Sequence, residues 1–197
     1  MRKLLAMVLG AAAVLSFTGC MGNNPNNAVQ IGNTVFTEKD ITDIQTALEA
    51  NGVGVADPDG SGMRATIVST LISGELSLNI AQSKSIQISS DVRETIDANI
   101  TWLPAIAEAG NEYKGSTLLA DGNNPLTEFA DGYAAYMALS YGLIEDSGVS
   151  VNDYLAAIDA NRIKVNPKYG EFSYSDQGFG LTNDGGSLSA VAASLDE

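Results

Sequence analysis

Apolar and polar positions first alternate and then fall into a helical rhythm along the body of the chain. In AVQIGNTVFTEKDITDIQTALEANG, which starts at position 28, Val29 and Ile31 alternate with polar neighbours, Gly32-Asn33 marks a turn, and Val35 resumes an extended run. Thr37 is placed to cap a helix, with Glu38 and Asp40 setting negative charge in its first turn. Ile41, Ile44, Ala47 and Leu48 recur at three- and four-residue spacing until Asn51-Gly52 ends the run. The pattern predicts a strand or small hairpin leading into an amphipathic helix.

A second helical rhythm runs from Met63 through Ile67, Leu71, Ile72, Leu76, Leu78 and Ile80, with Ser73-Gly74 expected to bend or divide it. In SIQISSDVRETIDANITWLPAIAEAG, Ser89 or Ser90 can cap a helix carrying Val92, Ile96, Ile100 and Leu103, which Pro104 is expected to kink or end. Residues 109–125 read as loop. The strongest helical pattern is LTEFADGYAAYMALSYGLIED, residues 126–146, where Leu126, Phe129, Tyr133, Tyr136, Met137 and Tyr141 fall on one broad face. A short helix is predicted around residues 152–160, and Ile163 and Val165 alternate before an Asn166-Pro167 turn. Residues 173–197, rich in Gly, Ser and Asp, are expected to form a loosely ordered tail. No repeat of fixed period is present.

The first residues follow a different logic. Arg2 and Lys3 form a short positive region, residues 4–17 are almost unbroken apolar sequence, and Thr18 and Gly19 are small. The apolar run is shorter than the roughly 20 residues that a membrane-crossing helix needs. It reads as a signal peptide over residues 1–19. Phe17-Thr18-Gly19-Cys20 resembles the lipobox of bacterial lipoproteins, with Phe17 where Leu is usual. That resemblance implies that Cys20 is acylated with membrane lipid and becomes the mature N-terminus. Two or more acyl chains, at about 0.8 kcal/mol per buried methylene, give stable anchoring. The expected location is the outer face of the cell membrane, with residues 20–27 a flexible tether and residues 28–172 the folded domain.

Charge narrows the partners. The chain carries a formal charge of −14, and removing residues 1–19 takes away Arg2 and Lys3 but no acid. Such a balance opposes nucleic acid and anionic lipid, so no nucleic-acid partner is expected. With one Cys and no His, neither an intrachain disulfide nor a thiolate and imidazole zinc site can be built. DPDGSG places Asp57, Asp59 and Ser61 at alternate positions as a calcium loop does, but the twelfth position is Val68 where a carboxylate is required. A plain turn is therefore expected, and no metal or other cofactor.

No Ser-x-x-Lys, Gly-x-Ser-x-Gly or phosphate-binding glycine loop occurs, and there is no histidine to activate a nucleophile. The carboxylates are numerous enough for chance pairs, so a carboxylate-dependent enzyme stands only as a third reading. A non-enzymatic role is expected. The aromatic stripe has two readings. One is core packing; in the other, Phe129, Tyr133, Tyr136, Met137 and Tyr141 line an apolar groove for extended polypeptides.

Three pieces of the body carry a family resemblance. AVQIGNTVFTEKDI resembles the opening Val-x-Gly-x-x-Ile-Thr-x-x-Asp pattern of SurA/PrsA-type extracytoplasmic chaperones, through Ile31, Gly32, Phe36, Thr37 and Asp40. QISSDVRETI is similar to an internal helix start of that family. VNPKYGEF resembles the Val-Asn-Pro-Arg-Tyr-Gly ending of SurA-N-like lipoproteins of actinobacteria, with Lys168 in place of Arg. The resemblance implies a mainly α, single helical domain in which short N- and C-terminal extended segments pair, and a role in holding non-native or exported polypeptides. The histidine-dependent parvulin isomerase domain of many relatives is not expected. The rival expectation is a structural or assembly lipoprotein docking one dedicated cell-envelope partner.

Overall fold

The structure is a computed structural model and describes residues 24–54, 61–113, 119, 122–144, 147–175 and 178–182. The expected signal peptide, the lipobox with Cys20, most of the DPDGSG turn and residues 183–197 lie outside the described residues.

Strands β1 (Asn27–Ile31) and β2 (Thr34–Thr37) form the expected hairpin, with Ile31 opposite Thr34 across the two-residue Gly32-Asn33 turn. Gly32 has φ +58° and is the one residue of that turn in the left-handed region, so glycine at the first turn position fits a type II′ connection. Residues 24–27, expected within the tether, are instead tied down. The Asn27 N–H donates to the Asn24 carbonyl and the Glu38 N–H to the Asn26 carbonyl, at 3.0 and 2.7 Å. Pairing to β2 holds Asn27 in the ladder, which is why the ordered part starts earlier than composition suggests.

Helix α1 (Glu38–Ala50) starts with the cap anticipated at Thr37. The Asp40 N–H donates to Thr37 Oγ1 and the Thr37 N–H donates to Asp40 Oδ2, a reciprocal capping box. It ends where Gly52 turns left-handed and the Val53 N–H reaches the Leu48 carbonyl. The other helices are α2 (Ser61–Lys84), α3 (Ser90–Asn99), α4 (Leu103–Asn111), α5 (Pro125–Ser140) and α6 (Val151–Asn161). The chain closes with β3 (Lys164–Val165), a 3-10 turn at Pro167–Tyr169, and the hairpin of β4 (Glu171–Ser175) and β5 (Gly178–Thr182). The result is a mainly helical domain with small antiparallel sheets.

Five expectations from the sequence are corrected. Helix α2 is not divided at Ser73-Gly74: Ser73 Oγ donates to the Ser69 carbonyl inside the helix, and Gly74 is where the backbone of α5 comes closest. Pro104 neither kinks nor ends α3, which stops at Asn99; it sits in the first turn of α4, where its missing N–H costs nothing. That helix carries residues 109–111 of the expected loop. Helix α5 ends at Ser140 and does not run to position 146, because Gly142 adopts φ +63° and the Leu143 N–H closes onto the Ala138 carbonyl. The expected tail begins as a strand pair: Phe172 faces Leu181 and Tyr174 faces Phe179. Its Gly and Ser content masks this two-residue apolar alternation. Phe179 is buried and stacks on Tyr154 at 5.5 Å.

The core forms around the α2–α5 contact. Ile67, Leu71, Leu76 and Ile80 of α2 are buried, as are Ala130, Ala134 and Ala138 of α5, with Ile41 and Ile44 of α1 and Leu103 and Ile106 of α4 closing around them. A chain of hydroxyl groups crosses this core. Ser77 Oγ donates to the Ser73 carbonyl, so the Tyr154 hydroxyl is the donor to Ser77 Oγ at 3.0 Å and can accept from Ser140 Oγ at 3.3 Å.

The two ends of the domain meet. In the order β2-β1-β3, Val29 pairs with Val165 and Gln30 with Lys164, antiparallel. Asn166 extends the contact, its backbone N–H to the Ala28 carbonyl and its Nδ2 to the Asn27 carbonyl. A charged clasp lies next to this sheet. The Glu38 carboxylate accepts from Arg64 at 2.9 Å, from the Tyr169 hydroxyl at 2.7 Å, and from Lys168 Nζ. Three hydrogen bonds from these partners outweigh the effect of partial burial and hold the Glu38 carboxyl below its ordinary range.

Candidate functional site

The aromatic residues of α5 sit beside the face that the helix buries deepest. Asn124 caps the helix, its Oδ1 accepting the N–H groups of Leu126 and Thr127, and Pro125 fills the first turn. Ala130, Ala134 and Ala138 are buried on one side of α5, and Gly132 lies on the face toward α2, where it lets the two helix backbones close together. Large rings do not fit there. Phe129, Tyr133 and Tyr136, spaced by four and three residues, form the adjacent stripe.

Trp102, just before α4, completes that stripe. Its ring centroid lies 5.1 Å from Tyr133 and 6.3 Å from Phe129, Phe129 is 6.4 Å from Tyr133, and Tyr133 is 6.4 Å from Tyr136 in an edge-to-face arrangement. This is a four-ring ladder running along the helix. Helix α3 is tied to α5 by Arg93, whose Nε donates to Asp97 at 3.1 Å and whose guanidinium also reaches Asp131 of α5 at 3.0 Å.

The five predicted contact residues are therefore graded in exposure. Phe129 is buried and forms the floor of the ladder; its ring is not a contact surface, contrary to the expectation. Tyr133, Tyr136 and Met137 are half-buried. Tyr141, the residue that caps α5, is 61% exposed, with Leu143 beside it in sequence at 37%. Burial raises the Tyr133 and Tyr136 hydroxyls, the latter to about 12, and nearby tyrosines, Tyr141 among them, add to the effect. Both are neutral donors and acceptors at physiological pH. Sequence reasoning missed Trp102. Its one available signal was its position as the sole Trp of the chain, directly before a Leu-Pro helix start.

Two hollows lie elsewhere. One of about 410 Å³ is lined by Asn24, Pro25, Gln30, Lys164, Asn166 and Pro167 along β1 and β3, and one of about 390 Å³ by Asn79, Ser83, Asp153 and Asn161 between α2 and α6. Among the described residues no cluster of three or more His, Cys, Asp or Glu is placed to hold a metal ion, and no helix is long and apolar enough to cross a membrane. The ladder offers ring faces, a flexible thioether and phenolic hydroxyls. These suit non-covalent contact with polypeptide. Comparison with family models, curated proteins and solved structures finds no match to this chain.

Proposed function

We propose that this chain is a membrane-tethered, extracytoplasmic, chaperone-like lipoprotein of SurA-N-like architecture that binds non-native or extended polypeptides without prolyl-isomerase chemistry. The observation that carries the reading is the ladder, buried at Phe129 and half-buried at Tyr133 and Tyr136, with the exposed Tyr141 close to those two tyrosines. Apolar area removed from water there contributes roughly 25 cal/mol per Å² before ordering costs. Tyrosine hydroxyls at the rim can bond peptide groups of varied sequence. The antiparallel pairing of β1 with β3 beside the helices supports the architectural part of the reading.

The test follows the aggregation of an unfolded client with the full-length protein at equimolar ratio. Wild type is expected to delay aggregation, and the double variant Tyr136→Ser, Tyr141→Ser to lose most of the delay while keeping its helical circular dichroism. No delay from the wild type refutes the reading. The anchor is tested separately by mass spectrometry of the native product, which is expected to show acylated Cys20; an unmodified thiol on a retained leader removes the membrane setting. A second reading, a subunit docking one dedicated envelope partner, draws on the exposure of Tyr141 and Leu143, two residues apart after α5. A single stoichiometric partner whose capture is lost with Tyr141→Ser would favour it.

A further inference from the structure

Among the described residues, three tyrosine hydroxyls donate to a carboxylate: Tyr113 to Asp43 at 2.5 Å, Tyr169 to Glu38 at 2.7 Å, and Tyr174 to Asp159 at 3.0 Å. The first two pairs share a further feature. Lys39 bonds to Asp43 and holds its Nζ 5.7 Å from the centre of the Tyr113 ring; Lys168 bonds to Glu38 and holds its Nζ 4.9 Å from the centre of the Tyr169 ring. In each, one ammonium is bound at once by a carboxylate and by the tyrosine that donates to that carboxylate, through the Tyr113 hydroxyl at 3.4 Å for Lys39 and over the ring for Lys168. The two sets use different elements: Lys39 and Asp43 both lie on α1, whereas Lys168 and Tyr169 come from the turn after β3. The arrangement is therefore a repeated local solution, not a consequence of one backbone geometry.

The third pair lacks its cation. Asp159 is on the exposed side of α6 and Tyr174, 49% exposed, is on β4, and no lysine or arginine among the described residues pairs with either. The Phe172 ring, 6.3 Å from Tyr174, adds an apolar wall against which lysine methylenes can lie. We propose that Asp159 and Tyr174 form a receptor for the ammonium of a lysine side chain on a partner polypeptide. Charge complementarity favours such an occupant: the chain carries −14 overall, which repels acidic partners and steers basic ones toward an accessible carboxylate. Lysine fits better than arginine, because at Tyr169 it is Lys168 that lies over the ring while Arg64 reaches the hydroxyl and the carboxylate. The site is separate from the ladder and does not depend on it.

The test uses the full-length protein with Nα-acetyl-lysine methylamide as probe, followed by nuclear magnetic resonance at millimolar concentrations. Saturable shifts are expected at Asp159 and the Tyr174 ring, and the Nζ-acetylated probe is expected to leave both unmoved. Asp159→Asn and Tyr174→Leu, at exposed positions, should each weaken binding about fivefold, the scale set by an exposed ion pair and an exposed cation–π contact. Equal binding of the acetylated probe, or no loss in Asp159→Asn, overturns the proposal. So does an equal loss in Asp91→Asn, a carboxylate elsewhere on the surface, because general attraction would then explain the shifts. Self-association that vanishes in Asp159→Asn would assign the occupant to a second copy and also overturn it. Tyr136→Ser should leave the probe affinity unchanged, so failure of the ladder and failure of this site are read separately.

Discussion

Replacing Gly74 by Ala asks whether the α2–α5 contact is set by backbone approach. A Cβ on Gly74 would stand 2.8 Å from both the Cα and the carbonyl carbon of Gly132 and 3.1 Å from its oxygen. Ordinary carbon–carbon contact is about 3.6 Å, so α5 must move by about 0.8 Å. The obstructing atoms are backbone, and no rotamer change relieves them. The cost therefore lies toward the upper end of the overpacking range, about 3 kcal/mol. Against it stands about 1 kcal/mol gained from the better helix propensity of Ala. The net expectation is a loss of about 2 kcal/mol, or roughly 4–8 °C in Tm for a domain of this size. Urea unfolding followed by circular dichroism and by the emission of Trp102, which touches Tyr133 across the α4–α5 contact, measures it. Gly132→Ala meets Gly74 at 3.1 Å and should cost less. Because both substitutions fill the same gap, the double variant should cost less than their sum. A Gly74→Ala protein as stable as wild type, or more so, would show that propensity wins and that the close approach is not what fixes the crossing.

Two further substitutions address polar groups. Glu38→Gln removes the negative charge from the acceptor shared by Arg64, Lys168 and Tyr169 and should cost about 1–2 kcal/mol at pH 7 by urea unfolding. The carboxyl is held below its ordinary value of 4.5, so its contribution is present above that value and is lost as pH falls through the lower folded one; the urea midpoints of the two proteins should converge in acid below pH 4.5, and a constant gap refutes the assignment. Tyr154→Phe deletes the hydroxyl that joins Ser77 and Ser140 in the core and should cost about 1–2 kcal/mol with no change in helical content; an unchanged urea midpoint would mean that the two serines satisfy themselves.

Local signals carried much of the fold. The Gly32-Asn33 turn, the Thr37 cap and the apolar spacing through Leu48 depend on residues within one turn of each other, and the structure follows them closely. Positions decided by a distant partner were misread. Ser73-Gly74 looks like a break in isolation, and only the approach of Gly132 shows the glycine to be a packing device. Residues 173–182 look like a Gly- and Ser-rich tail until Phe179 is seen against Tyr154. The stripe of the candidate site was legible as a stripe, because helical periodicity puts Phe129, Tyr133 and Tyr136 together. Its depth was not, since that depends on Gly132 of the neighbouring face meeting Gly74 of α2. The Asp159–Tyr174 pair, separated by 15 positions and two elements, had no sequence signature.

The pairing of β1 with β3 bears on how the domain assembles. Asn166 reaches the Asn27 carbonyl across a separation of 139 residues. Closing a free loop of that length costs about 4 kcal/mol beyond a constant. A two-residue strand and one amide cannot offset this alone, so β3 needs the helices packed before it can dock on β1. Once docked, β1 is flanked by β2 on one side and β3 on the other, and the Asn26 carbonyl is tied to the first turn of α1. Strand β1 thereby joins β2 and β3 and, through Glu38 of the adjoining helix, α2 and the Lys168-Tyr169 turn. With one cysteine and so no intrachain disulfide, this convergence of ladder, cap and clasp is what holds β1 in place.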